Sequence, residues 1–452
     1  MRILPDTQIS ALLGESCVTL TSRFPMEQRI PTELPLLTRF VNKFGDSKLF
    51  EDTNVIFAQH FVGDFISLLR AMLRTGIRKD LSWFLDIPYA ANKAVREAIV
   101  DLGFPETNFA PDIALGALDP YESTQYFRTV NLFSLAMKEG IKKGTKRTII
   151  IDDGGHTSLA RHVIEAFAFP KKHSVTVVEQ TRHGIRLHRT YRVTEKIRVI
   201  NVADSRAKLK YETPVIARSA ITRMKQLMEE ENLELRPQDR ILIIGYGNVG
   251  KAVTQSLIND SNILESQITV KPNPQEQYFM LRDGQLCQTP VRELLSKHRL
   301  VLGCSGERAF QHSHLPLLGK DCMLASVSSW ALEFPKDDWV AASQSPRQKN
   351  VRLTNHNAQD LSNDVHKSLH FILDGQTVIL ANAGYPINFW GGINTSPPES
   401  MQLTVSLMVA GVIQALKDNY SVGEYSLDAS IEDWIVKAFQ DIQGEPVIYM
   451  RG

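Results

Sequence analysis

An α/β fold containing a Rossmann-type unit is predicted by two features of this sequence. The first is residues 240–253, where the apolar tetrad Ile241, Leu242, Ile243 and Ile244 runs into Gly245, Gly247 and Gly250 and then into a helical pattern over 249–258. In such a G-x-G-x-x-G turn the first glycine permits the tight bend and the second lets a pyrophosphate approach the backbone. The third lets helix and strand close on each other. The N–H groups that open the helix, around Asn248 and Val249, carry a partial positive charge suited to phosphates. The second feature is the alternation of short apolar runs with longer amphipathic ones from Asn54 onward, the pattern of a parallel sheet covered by helices.

The elements follow in order. Residues 1–53, punctuated by Pro25, Pro31 and Pro35, read as an N-terminal arm or short helices. Then come a strand over 55–58, a helix over 64–74, a strand over 81–85 and a helix over 90–102. A longer helix is expected over 121–142. Residues 147–152 form a buried strand that ends in Asp152-Asp153-Gly154-Gly155. Ligands of open α/β sheets sit beyond the carboxyl ends of the strands, so this corner is a natural site wall. A polar stretch over 229–239 leads to the glycine turn. Further strands are expected at 268–270, 300–303 and 322–327, then a mobile loop over 343–363 and a hairpin turning at Asp374-Gly375. Residues 398–416 read as an apolar helix, followed by a mixed segment.

With 452 residues the chain is long enough for two or three domains. Hydrophobic content of 43%, charged content of 22% and a formal charge of +1 are those of an ordinary soluble protein. They argue against a nucleic-acid or membrane-surface partner and for a small molecule or another protein. No apolar run is expected to span a bilayer, and the first twenty residues lack the signature of a secretory signal, so a cytoplasmic location is expected. Cys17, Cys287, Cys304 and Cys322 lack metal-site spacing and are expected as reduced thiols, with no metal.

Read in order, these landmarks resemble the S-adenosylhomocysteine hydrolase family. The matching stretches are Asp152-Asp153-Gly154-Gly155, Glu179-Gln180-Thr181 leading to Gly184, and Asn201 through Asp204-Ser205 to Lys208 and Glu212. They continue through Gly245 to Lys251, then Gly303-Cys304, then Gly384 to Asn388, and together cover roughly 54–416. The resemblance implies a Rossmann domain (213–394) inserted in a second α/β substrate domain (54–212 and 395–452), assembled as a homo-oligomer, a dimer or tetramer. It implies bound NAD that oxidises a ribose 3′-hydroxyl, so that the C4′ proton becomes acidic and the 5′ thiol can leave. Lys208 matches the lysine acting at the 3′ position, with Glu212 in place of its Asp partner. Asp153 and His60 match the acid/base pair near C4′ and the leaving group. Asp64 stands where a Glu binds adenine, Thr181 keeps its family position, and Gly303 and Asn388 match the cofactor edge.

Departures from that pattern point to another substrate. Gln180 replaces a Glu that holds ribose hydroxyls, Ser329 and Thr395 each replace a His, and His156 replaces an Asp. Arg182 and His183 stand where small hydroxyl residues are usual. Lys271 occupies the position of the acid that binds the adenosine ribose diol. It fits a 2′-phosphate, hence NADP, as well as it fits a solvated lysine in a degenerate pocket. The tail Val447–Gly452 has no match to the family's tail that reaches a neighbouring subunit's cofactor.

Taken singly, Lys208 reads as a surface lysine, Glu212 as a helix-start acid and His60 as a core histidine; the collinear set favours a site. The chain is thus expected to be a divergent NAD(P)-dependent enzyme acting on a nucleoside or thioether other than adenosylhomocysteine. The alternative is an inactive homologue that binds a nucleotide or a partner. A plain hydroxyacid dehydrogenase would leave the front-half landmarks unexplained.

Overall fold

The computed structural model describes residues 28–443 except 32, 114, 262, 273–276, 295–296, 329, 349, 355–360, 362–363 and 418–420. The chain divides into two compact units. The first holds the residues up to Pro111, Tyr126–Glu212 and those from Gly392 on; the second holds Asp112–Gln125 and Thr213–Gly391. This differs from the expected division in giving residues 112–125 to the second unit. It also gives the supposed N-terminal arm a structural part: the helix Pro35–Phe44 buries Leu36, Leu37, Phe40 and Val41 in the first unit's core.

The first unit is built on β1 (Thr53–Phe61), β2 (Ser82–Ala91), β3 (Arg147–Asp152), β4 (Ser174–Glu179) and β5 (Arg198–Asn201). The second carries β6 (Arg240–Ile244), β7 (Ile268–Lys271), β8 (Phe279–Arg282), β9 (Gln285–Gln288), β10 (His298–Gly303) and β11 (Leu318–Ser326). It closes with β12 (Val351–Leu353), β13 (Leu369–Leu373) and β14 (Gln376–Leu380), and β15 (Gly423–Ser426) returns to the first sheet.

In the first unit the order is β15-β5-β4-β3-β1-β2, parallel throughout. Both faces are covered, which is why its central strands read as continuous apolar runs. Val55, Phe57, Ile149, Ile151 and Val178 face the helices Pro35–Phe44, Gly63–Arg74 and Pro398–Lys417. Ile56, Ala58, Ile150 and Val177 face Leu132, Phe133 and Met137 of the helix Tyr121–Lys142. The twenty-residue helix Pro398–Lys417, with an eighteen-residue stretch at a mean hydropathy of 1.3, is long and apolar enough to cross a membrane, contrary to expectation. Here 78% of that stretch is buried inside the protein. Strand order reverses between β3 and β1, so the crevice for a ligand opens beyond their carboxyl ends.

The second unit has a parallel core β14-β11-β10-β6-β7, extended antiparallel by β8 and β9 at one edge and by β13 and β12 at the other. Its order reverses between β6 and β10, beside the glycine turn. Asp374 and Gly375 both take positive φ (49° and 85°), as the hairpin's two-residue turn requires.

Some boundaries moved for local reasons. The helix expected from residue 90 starts at Lys93, because β2 runs on to Ala91 and Asn92 caps the helix by accepting from the Ala94 N–H at 2.9 Å. Pro88 does not end β2 earlier, since β2 is an edge strand. Within the loop expected over 343–363, residues 351–353 form β12, and 349, 355–360 and 362–363 lie outside the described residues.

Candidate functional site

In the first unit, six of the sequence-predicted residues converge on the crevice. His60 is the penultimate residue of β1, Asp153 follows β3 and Gln180 follows β4. The chain after β5 makes a π-helical turn, Lys208–Glu212, of a kind that recurs at functional sites. Asp64 sits in the first turn of the helix Gly63–Arg74.

Two acid/base pairs result. His60 Nδ1 lies 3.0 Å from Asp153 Oδ2, and Gln180 Nε2 donates to the same carboxylate. Lys208 Nζ lies 3.2 Å from Glu212 Oε2. Burial pushes the Asp153 carboxyl up, but His60, Lys208 and Gln180 outweigh it and hold the group below its usual range. The balance is opposite at Glu212, where burial beats Lys208 and the Thr404 hydroxyl beside it, so its carboxyl is raised. Asp64 is pushed up to about 6 by burial, opposed by His60 and reinforced by Glu212. The crevice therefore holds a carboxyl of lowered proton affinity beside an imidazole, and an amine beside a carboxyl of raised proton affinity. Pairs of titratable groups with divergent proton affinities are what acid/base chemistry requires.

Because Gln180 spends its amide N–H on Asp153, its Oε1 is left buried with no hydrogen-bond partner. A buried acceptor of this kind is costly unless a donor, such as a ligand hydroxyl, meets it. Thr181, by contrast, faces inward: its hydroxyl donates to Glu179 and accepts from the Gly184 N–H to cap the helix Arg182–Thr190. Arg182 pairs with Asp204 at the surface, 2.7 Å away. Thr395 is half-buried in a segment that packs on Gly63, whose N–H donates to Ile393 at 2.7 Å. Ser329 lies outside the described residues, as does the tail Val447–Gly452.

Behind the crevice lies a network that sequence reasoning missed. Glu179 accepts from the N–H groups of Gly154, Gly155 and Thr181 and from His188 Nε2 at 3.1 Å. Asp152 accepts from the N–H groups of His156 and Thr157 and from the His156 ring at 3.2 Å. All four side chains are fully buried. Although carboxylates and imidazole at Asp152, Glu179 and His188 lie within 4.8 Å of one another, their oxygens are already taken by N–H donors. The trio is a polar strut holding the turns that carry Asp153 and Gln180. Asp152 and Glu179 were visible in the sequence only as parts of the motif stretches, His156 only as a departure from the family pattern, and His188 not at all.

In the second unit Gly245 takes φ +92°, and a Cβ on Gly250 would stand 2.0 Å from the Gly245 carbonyl oxygen, so neither tolerates a side chain. A Cβ on Gly247 would meet nothing within 4 Å, which leaves an open cradle at the start of the helix Asn248–Ser261. Gly303 admits the buried Glu333, missed in the sequence, whose carboxylate accepts from Ser305, the Gly306 N–H and Ser328. Burial pushes Glu333 up to about 7 despite those bonds. Asn388 is buried two residues beyond the contact of Pro386 with the end of β11, and its Oδ1 has no hydrogen-bond partner. Cys304 and Cys322 are buried free thiols and Cys287 is partly exposed; Cys17 lies outside the described residues.

No family model matches the chain. It is 28% identical over 378 residues, 82% of its length, to an uncharacterised protein of Mycobacterium tuberculosis strain H37Rv and to another of strain CDC 1551. The chain spans 66% of the length of these curated relatives. Among solved structures, the pyruvate reductase of Chlamydomonas reinhardtii overlays with a TM-score of 0.40 at 11% identity, over 83% of this chain and 99% of that one. The apo form of D-lactate dehydrogenase from Escherichia coli overlays at 0.34 and 13% identity, over 66% and 79%.

Proposed function

We propose that this chain is a divergent relative of the S-adenosylhomocysteine hydrolases, using NAD(P) for redox-assisted elimination or addition on a nucleoside or thioether other than adenosylhomocysteine. The observation that carries this is the double pairing His60–Asp153 and Lys208–Glu212 in one crevice beyond the carboxyl ends of one parallel sheet. The second unit fits a dinucleotide: its open glycine cradle, the helix start at Asn248 and the unsatisfied Asn388 oxygen are the acceptor-and-donor set such a ligand uses. Bound NAD(P) supplies a hydride acceptor that can later return the hydride.

The chain's own groups handle the protons. Lys208, once its own proton has passed to the neighbouring Glu212 carboxylate, takes the proton of a sugar hydroxyl. Asp153, held ionised, takes a proton from the neighbouring carbon, and His60 delivers one to the leaving sulfur or oxygen. The buried Gln180 oxygen receives a ligand hydroxyl. An amide there forms a neutral hydrogen bond where a carboxylate would form a charge-assisted one, commonly worth about 1.5–3 kcal/mol. That loss, with Thr395 in place of an imidazole, argues against adenosylhomocysteine.

The test mixes the purified chain with NAD⁺ or NADP⁺ and adenosine, 5′-methylthioadenosine, inosine or S-adenosylhomocysteine, and follows reduced-nicotinamide absorbance. A probe other than adenosylhomocysteine is expected to reduce the cofactor, and Lys208→Met to abolish the signal at unchanged Tm. A folded protein that is silent with every probe and both dinucleotides supports the inactive homologue instead.

A further inference from the structure

We infer that the Lys271–His314 pair is a receptor for a phosphate monoester on the adenosine ribose, making the second unit selective for NADP(H) over NAD(H). The inference rests on the dinucleotide-binding reading above and deepens it.

Position comes first. Lys271 ends β7, the second strand of the Rossmann unit, where the adenosine ribose of a dinucleotide lies. Its carbonyl accepts the Gly245 N–H at 2.8 Å, which ties it to the glycine turn.

Chemistry comes second. NAD is held at this point by a carboxylate that accepts from the ribose diol. Among the described residues no Asp or Glu forms an ion pair with Lys271, although Lys271 is only 5% exposed. Its Nζ instead lies 2.9 Å from His314 Nε2 and 5.3 Å from the centre of the Tyr278 ring. Among the described residues, the titratable groups facing it are His314 and Tyr278.

The decisive detail is the proton on His314. Its Nδ1 lies 3.0 Å from the Gln311 backbone nitrogen, an obligate donor, so Nδ1 must accept. In the neutral ring the hydrogen then resides on Nε2, the atom that faces Lys271 Nζ. Two donors thus point at each other, and the pair is satisfied only if the lysine gives up a proton and accepts. Burial lowers the proton affinity of both groups, and among the described residues neither has an acidic partner. A phosphate dianion resolves the conflict, because it accepts from Nε2–H and from a fully protonated Nζ together. A ribose hydroxyl cannot supply that charge.

Dinucleotide binding to the full chain, followed by calorimetry, tests this without any turnover. NADP⁺ is expected to bind roughly 10- to 100-fold more tightly than NAD⁺, and 2′,5′-ADP to bind more tightly than 5′-AMP by a similar factor. Inorganic phosphate alone should compete weakly, because it lacks the nucleoside. Lys271→Met and His314→Gln, each at wild-type Tm, should bring the two dinucleotides close to parity. NAD⁺ binding as tightly as NADP⁺ overturns this inference and leaves the proposed function standing. An NADP⁺ preference that survives in both variants overturns the assignment to this pair. A folded wild-type chain that binds neither overturns both readings.

Discussion

The first unit's crevice and the second unit's Lys271 and Glu333 hold buried charge in opposite ways, although the buried Lys336 of the second unit does pair with Asp337, 3.3 Å away. In the first unit, four acid/base pairs are matched: His60 with Asp153, Lys208 with Glu212, His156 with Asp152 and His188 with Glu179. In the second, Lys271 is buried beside a neutral imidazole and Glu333 beside hydroxyl and amide donors. Matched pairs suit a site whose protons move internally, since the charge for each transfer is already in place. Unmatched groups suit a site completed by a ligand's charge or one that changes protonation with pH.

That contrast can be broken experimentally, and the largest effect is expected in the first unit's chemistry. Asp153→Asn should lower turnover by roughly 10²–10⁴-fold, the usual weight of a positioned acid/base group. Circular dichroism should show the fold intact, because Gln180 and His60 lose only one partner. Next comes the strut. Glu179→Ala leaves His188 and three backbone N–H groups without their acceptor and should cost about 3–5 kcal/mol in urea unfolding. A loss under about 1 kcal/mol would show that the strut is solvated and not structural.

In the second unit the effect is gentler and pH-dependent. Glu333 has a folded-state pKa of about 7, above its unfolded value near 4.3, so the folded state binds the extra proton between those limits. Its stabilising contribution is complete below the unfolded value and is lost as pH rises through about 7. Melting temperature should therefore fall between pH 5 and about 8, and Glu333→Gln should flatten that slope. A wild-type slope that survives the substitution would place the titration elsewhere.

Smaller still is the expected response of Asp64. With its carboxyl near 6, ligand affinity in the first unit should weaken by up to about tenfold as pH falls through that value, and Asp64→Asn should remove the dependence. Gly247→Ala should leave Tm unchanged, since its cradle is open, yet weaken dinucleotide binding. Gly250→Ala should damage the fold itself, because the added carbon would strike the Gly245 carbonyl.

What the sequence made legible divides along similar lines. The glycine turn, the Asp374-Gly375 hairpin and the strand ending at Asp152 were readable because their chemistry is local: turn residues and apolar runs act over a few positions. Crevice residues were readable only as a collinear series of motifs, since nothing near Lys208 in the sequence announces His60. His314 was invisible, because its contact with Lys271 spans 43 positions and depends on the Gln311 N–H fixing a ring tautomer. Glu333 and His188 were equally hidden, since burial of a charged side chain is a property of packing, and their sequence neighbours are unexceptional. Thr181 shows a role that the motif alone does not reveal: its hydroxyl caps the helix Arg182–Thr190.

The most direct test of the central account is solvent hydrogen exchange at the sugar carbon. The chain would be incubated in D₂O with NADP⁺ or NAD⁺ and each nucleoside probe, and the recovered probe examined by NMR for deuterium at C4′. The account predicts cofactor-dependent incorporation into a probe other than adenosylhomocysteine, absent in Asp153→Asn and Lys208→Met. A folded wild-type protein that binds dinucleotide but leaves the C4′ proton of every probe unexchanged would contradict it.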